Sequence, residues 1–122
     1  MFWTELASGR LTGMANHATH VVVRDDAIDG TRGERLLAAG RHVGLRVWER
    51  DPASERSVAP DPANERVAYV ASGVLVVAVA GDPPVEIRAG DSYVVPAGAG
   101  HRYEVLEPAT VVEAVCPPTM ND

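Results

Sequence analysis

The sequence predicts an all-β fold, a sandwich or small barrel, on three observations. First, short runs rich in β-branched residues recur from about residue 43 onward. Second, the breakers between them are "SG", "GDPP", "AGD", "PAGAG" and "EP". Glycine there supplies positive φ, and proline fixes φ while removing a ladder donor. Third, 122 residues at 46% apolar composition form one domain able to bury a core without staples. Regularly spaced short strands of this kind indicate a sandwich or barrel.

Taken in order, "TELASGRLTGM" reads as a turn of helix and "THVVVRDD" as an edge strand with charge at its end. "TRGERLLAAGR" reads as a hairpin or a short helix. "VGLRVWE" (43–49) alternates Val43, Leu45 and Val47 against Gly44, Arg46 and Trp48, as a strand with two unlike faces does. "ERDPASERSVAPDPANER" (49–66) is polar and proline-rich, a loop too long for an ordinary connection and so either functional or mobile. Strands are then expected at "VAYVAS" (67–72), "VLVVAVA" (74–80), "VEIR" (85–88), "SYVV" (92–95), "HRYEVL" (101–106) and "TVVEAV" (110–115). There is no internal repeat and no linker. The expected organisation is an N-terminal arm with edge strands over 1–40, a barrel over 41–118 and a tail over 119–122.

Composition removes several function classes. Eleven basic against seventeen acidic residues give a net charge of −6, the wrong sign for a phosphate-backbone binder. All of the basic residues are arginine, so Schiff-base chemistry and a lysine general base are excluded. No run approaches a membrane span, and "MFWTELASG" lacks the basic start and apolar run of a secretory signal. The single Cys116 cannot form an internal disulfide, and in "VVEAVCPP" it reads as a buried strand residue, so a cytoplasmic location is expected.

One stretch carries a motif. In "GDSYVVPAGAGH", Gly90 starts a tight turn, "DSYVV" forms a strand, Pro96 and Gly98 reverse the chain, and His101 opens the returning strand. Gly90, Pro96, Gly98 and His101 stand at the spacing of the second motif of the cupin superfamily; the motif's last position, an Asn, is Val105 here. The stretch from Val43 to Pro118, about three-fifths of the chain, resembles that superfamily. The resemblance implies a jelly-roll, or double-stranded β-helix, barrel. It also implies a homodimer, with the N-terminal segment exchanged between copies.

The first cupin motif, His, one residue, His, three or four residues, Glu, six residues, Gly, resembles "APDPANERVAYVASG", with Tyr69, Val70 and Gly73 in the expected places. Counting back from Gly73 puts the metal-binding glutamate at Arg66 and the two histidines at Ala59 and Asp61. An arginine stays protonated, and its guanidinium repels a divalent cation in a low-dielectric cavity. A period of two sends residues 66, 68 and 70 to one face, so Arg66 faces the lumen if the glutamate position does. The histidine is kept while the usual metal site is lost, and no cofactor is favoured. If a divalent metal (Fe, Zn, Mn or Ni) is held, His101 and Asp61 are the ligands, completed by His17 or His20 of "HATH" from an exchanged arm.

The candidate residues follow. Histidine as a residue type suits general acid–base work, so His101 is a candidate for it, or is a motif residue hydrogen-bonded in the barrel mouth. Arg66 grips a carboxylate, phosphate or enolate oxygen with its planar fork, or pairs with Asp61, Glu65 or Glu49 to hold the loop. Tyr103 shares the His101 face, to donate a hydrogen bond or to pack. Arg46 and Trp48 share one face of their strand and Glu49 lies on the other, with the lumen side left open; Trp48 fits a cavity wall or a dimer interface. His42 is a solvent-facing residue. Together with Asp61, these residues are expected to bind a small organic ligand bearing a carbonyl or carboxylate. The expected function is metal-independent acid–base catalysis in small-molecule or secondary metabolism: an isomerase, cyclase, dehydratase or epimerase. A non-catalytic binding or sensing barrel and a metal-dependent oxygenase with rearranged ligands are the other two classes.

Overall fold

The computed structural model describes residues 19–30 and 33–118. Eight strands occur among them, joined in one antiparallel sheet: β1 (Ile28–Asp29), β2 (Glu34–Ala39), β3 (Gly44–Arg50), β4 (Glu55–Val58), β5 (Glu65–Val79), β6 (Val85–Arg88), β7 (Ser92–Val95) and β8 (His101–Cys116). The fold is the all-β, double-stranded β-helix barrel expected from the sequence. The expected edge strand at "THVVVRDD" does not form; residues 19–23 are irregular and Arg24–Asp26 make a 3₁₀ turn. "TRGERLLAAGR" supplies β2, paired with β3. The expected helical turn near the start lies outside the described residues.

Two strands organise the barrel. β5 and β8 run side by side, and each passes through both walls. In the first wall, β8 from Ala109 onward pairs with β3, and β5 from Arg66 to Tyr69 pairs with β7. In the second, the His101 end of β8 pairs with β4, and β5 from Val74 pairs with β6. The register between β5 and β8 shifts around Ser72–Leu75, which is where the sheet folds over. Gly73 makes the fold possible. Its φ is +88°, and a Cβ there would lie 2.2 Å from the Pro108 carbonyl oxygen and 2.5 Å from the Ala109 Cα. The Gly and Pro that read as strand ends are therefore a shared bend in two continuous strands.

The polar 49–66 segment is not all loop, since β4 lies within it and Val58 faces His101 in register. At the other end of the motif, Gly90 has φ +93° and its N–H donates to the Val70 carbonyl at 2.8 Å, closing the turn before β7.

Period-two alternation decides what the walls enclose. Val70, Leu75, Val77, Ile87, Val105 and Val111 are buried together with Trp48 and Tyr103, in a core built from both walls. Trp48 on β3 and Tyr103 on β8 stack across the interior with ring centroids 4.9 Å apart. Burying each of these side chains contributes about 1.5–3 kcal/mol by area. Among the described residues, no helix is long and apolar enough to cross a membrane.

Candidate functional site

The inner face of the first wall carries charge where a core would carry aliphatics. Arg46 on β3, Arg66 on β5 and Glu113 on β8 are all buried. The register brings them together: Arg46 lies directly opposite Glu113, and Glu113 opposite Ala68, next on its face to Arg66. Arg46 Nη2 lies 3.5 Å from Glu113 Oε1, and Arg66 Nη1 lies 3.6 Å from Glu113 Oε2. Trp48 Nε1 also donates to Glu113 Oε1. One carboxylate thus holds two guanidinium groups and an indole N–H.

Such a cluster is costly to assemble from water unless its parts are well paired. Its chemical capacity is that of an anion holder. Two planar forks, fixed by a shared carboxylate and walled by apolar side chains, attract a negative oxygen more strongly than exposed arginines do.

His101 opens β8 in the second wall and is 7% exposed. It borders an open depression of about 460 Å³ at the barrel mouth, with Val58, Pro60, Gly81 and Gly100 among its lining residues. Tyr103, two residues on, shares its face and links the walls through the Trp48 stack.

The remaining candidates lie elsewhere. Glu49 is exposed on the outer face of β3 and lines a separate depression of about 340 Å³ with Arg50, Asp51 and Thr110. Asp61 is exposed, and its Oδ1 accepts the Ala63 N–H at 2.9 Å, turning the carboxylate into its own loop. Arg66 pairs with Glu113, a carboxylate outside the three suggested by the sequence. His20 and His42 are exposed, and His17 lies outside the described residues.

Two inward carboxylates escaped the sequence reading. Glu113 sits in "VVEAV" in phase with Val111 and Val115, so a lone charge on an otherwise apolar strand face was the available signal. Glu34 is the other. It is 3% exposed, lies opposite Trp48 in register, and its Oε2 has no hydrogen-bond partner.

Residues 47–116 match the family model described as "Cupin domain". The chain belongs to the cupin family. Its structural relatives agree. KdgF from Halomonas sp. superposes with a TM-score of 0.68 at 20% identity, covering 80% of this chain and 94% of that one. An RmlC-like cupin from Shewanella frigidimarina NCIMB 400 gives 0.69 at 19% identity, covering 84% and 95%. The cupin domain of Cnp3 from Schizosaccharomyces pombe gives 0.63 at 14% identity, covering 74% and 69%. No curated relative matches in sequence.

Cupins often bind metals, and the donor set here was compared with that role. Among the described residues, no three His, Cys, Asp or Glu side chains gather to hold an ion. Arg66, the residue that the motif count from Gly73 assigns to the family's glutamate, is buried, with Arg46 beside the same carboxylate. Asp61 is engaged by its own loop. Two fixed cations and one carboxylate that they already share do not fit a divalent metal.

Proposed function

We propose that this cupin binds a small organic molecule carrying a carboxylate or carbonyl group in its lumen and acts on it by metal-independent acid–base chemistry. The observation that carries the reading is the Arg46–Glu113–Arg66 cluster, which puts a protein-supplied positive charge where the family supplies a metal. Arg66 and Arg46 hold the anionic or polarised oxygen. Charge that develops on that oxygen meets dipoles and cations already in place, among apolar side chains that keep water away. His101, on the facing wall, takes or returns the proton. Isomerisation, cyclisation, dehydration and epimerisation all need this combination, and stand-alone cupins of this size suit small-molecule metabolism.

The test is a screen of small carboxylates and oxoacids by thermal shift, followed by turnover assays on any that bind. Arg66→Ala is expected to abolish binding. His101→Ala is expected to abolish turnover while binding persists. Binding and turnover that survive both substitutions would sink the reading, and binding without turnover in the unaltered protein would make this a sensing or carrier barrel.

The homodimer belongs to the same proposal. On the outer face of the first wall, Leu45, Ala114, Val67 and Val94 form one row across four strands, and Val47, Val112 and Tyr69 form the next. Leu45, Val67, Tyr69 and Val94 are exposed, with Glu49 and Glu65 at the ends of the face and Arg35 at its β2 edge, opposite Val47. A continuous apolar sheet face of this kind suits a second copy of itself.

A further inference from the structure

The open end of the barrel holds a depression that the charged cluster does not account for. Arg66 and His101 stand equally far in sequence from the bend at Gly73 and Pro108, so both lie at the end of the barrel away from it. At that end, beside His101, the surface is hollowed to about 460 Å³, within the range that small organic ligands occupy. The hollow lies between Val58 and Pro60 at the end of β4, residues 78–82 where the chain leaves β5, and residues 100–102 at the start of β8.

Its shape and chemistry follow from these residues. Ala78, Ala80, Gly81 and Gly100 contribute little or no side chain. Gly100 lets its surroundings close up beneath the hollow, since a Cβ there would lie 3.2 Å from both Pro60 Cδ and the Val58 carbonyl oxygen. Gly81, at φ +86°, faces the open side, where an added Cβ meets nothing within 4 Å. The peptide groups around the hollow bond to one another. The Ala80 N–H donates to the Gly100 carbonyl at 2.8 Å, and the Asp82 N–H donates to the Val79 carbonyl at 2.9 Å. The hollow therefore offers a ligand mostly carbon, from Val58, Pro60, Val79 and the two alanines, with the His101 imidazole among them. Asp82 and Arg102 are exposed and opposite in sign, so the hollow favours neither charge.

We infer that this hollow takes the apolar body of the substrate: a compact aryl or branched alkyl group carried next to the carbonyl or carboxylate on which the protein acts. The inference rests on the reading above and adds the substituent. Among the described residues His101 is the one buried histidine, and it stands in register between Val58 on β4 and Val79 on β5. A group seated on those two side chains brings the carbon that bears it to the imidazole. Because the hollow is open on the Gly81 side, a bound group keeps part of its surface in water. Selection is then by apolar area and not by tight fit.

Calorimetric titration of the full chain with 2-oxoacids of rising apolar size tests it: pyruvate, 2-oxobutyrate, 4-methyl-2-oxopentanoate and phenylpyruvate. Each added carbon is expected to tighten binding about twofold to fourfold, and phenylpyruvate to bind about tenfold tighter than pyruvate, or more. Ala80 is exposed, and Ala80→Trp keeps its backbone N–H while filling the hollow. That variant is expected to cancel the gain, so that the four acids bind alike. Equal affinities across the series in the unaltered protein overturn the inference and leave the carboxylate reading standing, as does a gain that Ala80→Trp retains. Failure of every acid to bind overturns that reading and the inference with it. The series on the unaltered protein is informative whether or not the variant folds.

Discussion

The two walls of the barrel share two strands and differ in what they bury. Along β5 and β8, the second wall turns Leu75, Val77 and Val105 inward, an apolar surface with His101 at its rim. Along the same strands beyond the bend, the first wall turns Arg66 and Glu113 inward, joined by Arg46 and Glu34 from β3 and β2. One chain pair therefore builds a wall that stabilises the fold and a wall whose charges cost stability. Buried charge of this kind is retained where a ligand or a specific pairing uses it. On the proposed reading, the first wall holds the ligand and the second supplies a proton carrier and a dry surface.

The comparison can be broken most forcefully at Glu113. Glu113→Ala leaves two buried guanidinium groups without their shared carboxylate, and an expected loss of about 4 kcal/mol should appear in chemical denaturation. A loss below about 1 kcal/mol would mean the arginines find water or other partners easily. In the apolar wall, Leu75→Ala removes a fully buried side chain and is expected to cost about 3 kcal/mol while leaving ligand affinity intact. Arg66→Met sharpens the contrast. It keeps the Arg46–Glu113 pair and adds apolar volume, so stability is expected to stay within about 1 kcal/mol of the unaltered protein. Asp61→Ala removes only a loop cap, an expected change of about 0.5–1 kcal/mol in denaturation, with no effect on carboxylate binding.

Much of the fold was legible because motif spacing and period-two alternation are local signals. Gly90, Pro96, Gly98 and His101 fixed one turn and its two strands, and parity placed Arg66, Ala68 and Val70 on one face, where all three are buried. The bends were misread because Gly73 and Pro108 each resemble a strand end, and only their adjacency across β5 and β8 marks them as one fold line. β4 was hidden because four residues between prolines carry too short a pattern to register. The site was half legible. Arg66 could be placed by counting from Gly73, but Arg46 faced an undecided side until β3 was seen to pair with β8. Glu34 and Glu113 became visible only through cross-strand register, which no single strand encodes.

The central claim is that two buried arginines have taken over the place of a metal and hold an anionic oxygen. The most direct measurement is the thermal shift of the unaltered protein and of Arg66→Met with a panel of small carboxylates, run with and without a metal chelator. The account predicts stabilisation of the unaltered protein that the chelator does not change and that Arg66→Met loses. Stabilisation that needs added metal, or that survives in Arg66→Met, would contradict it.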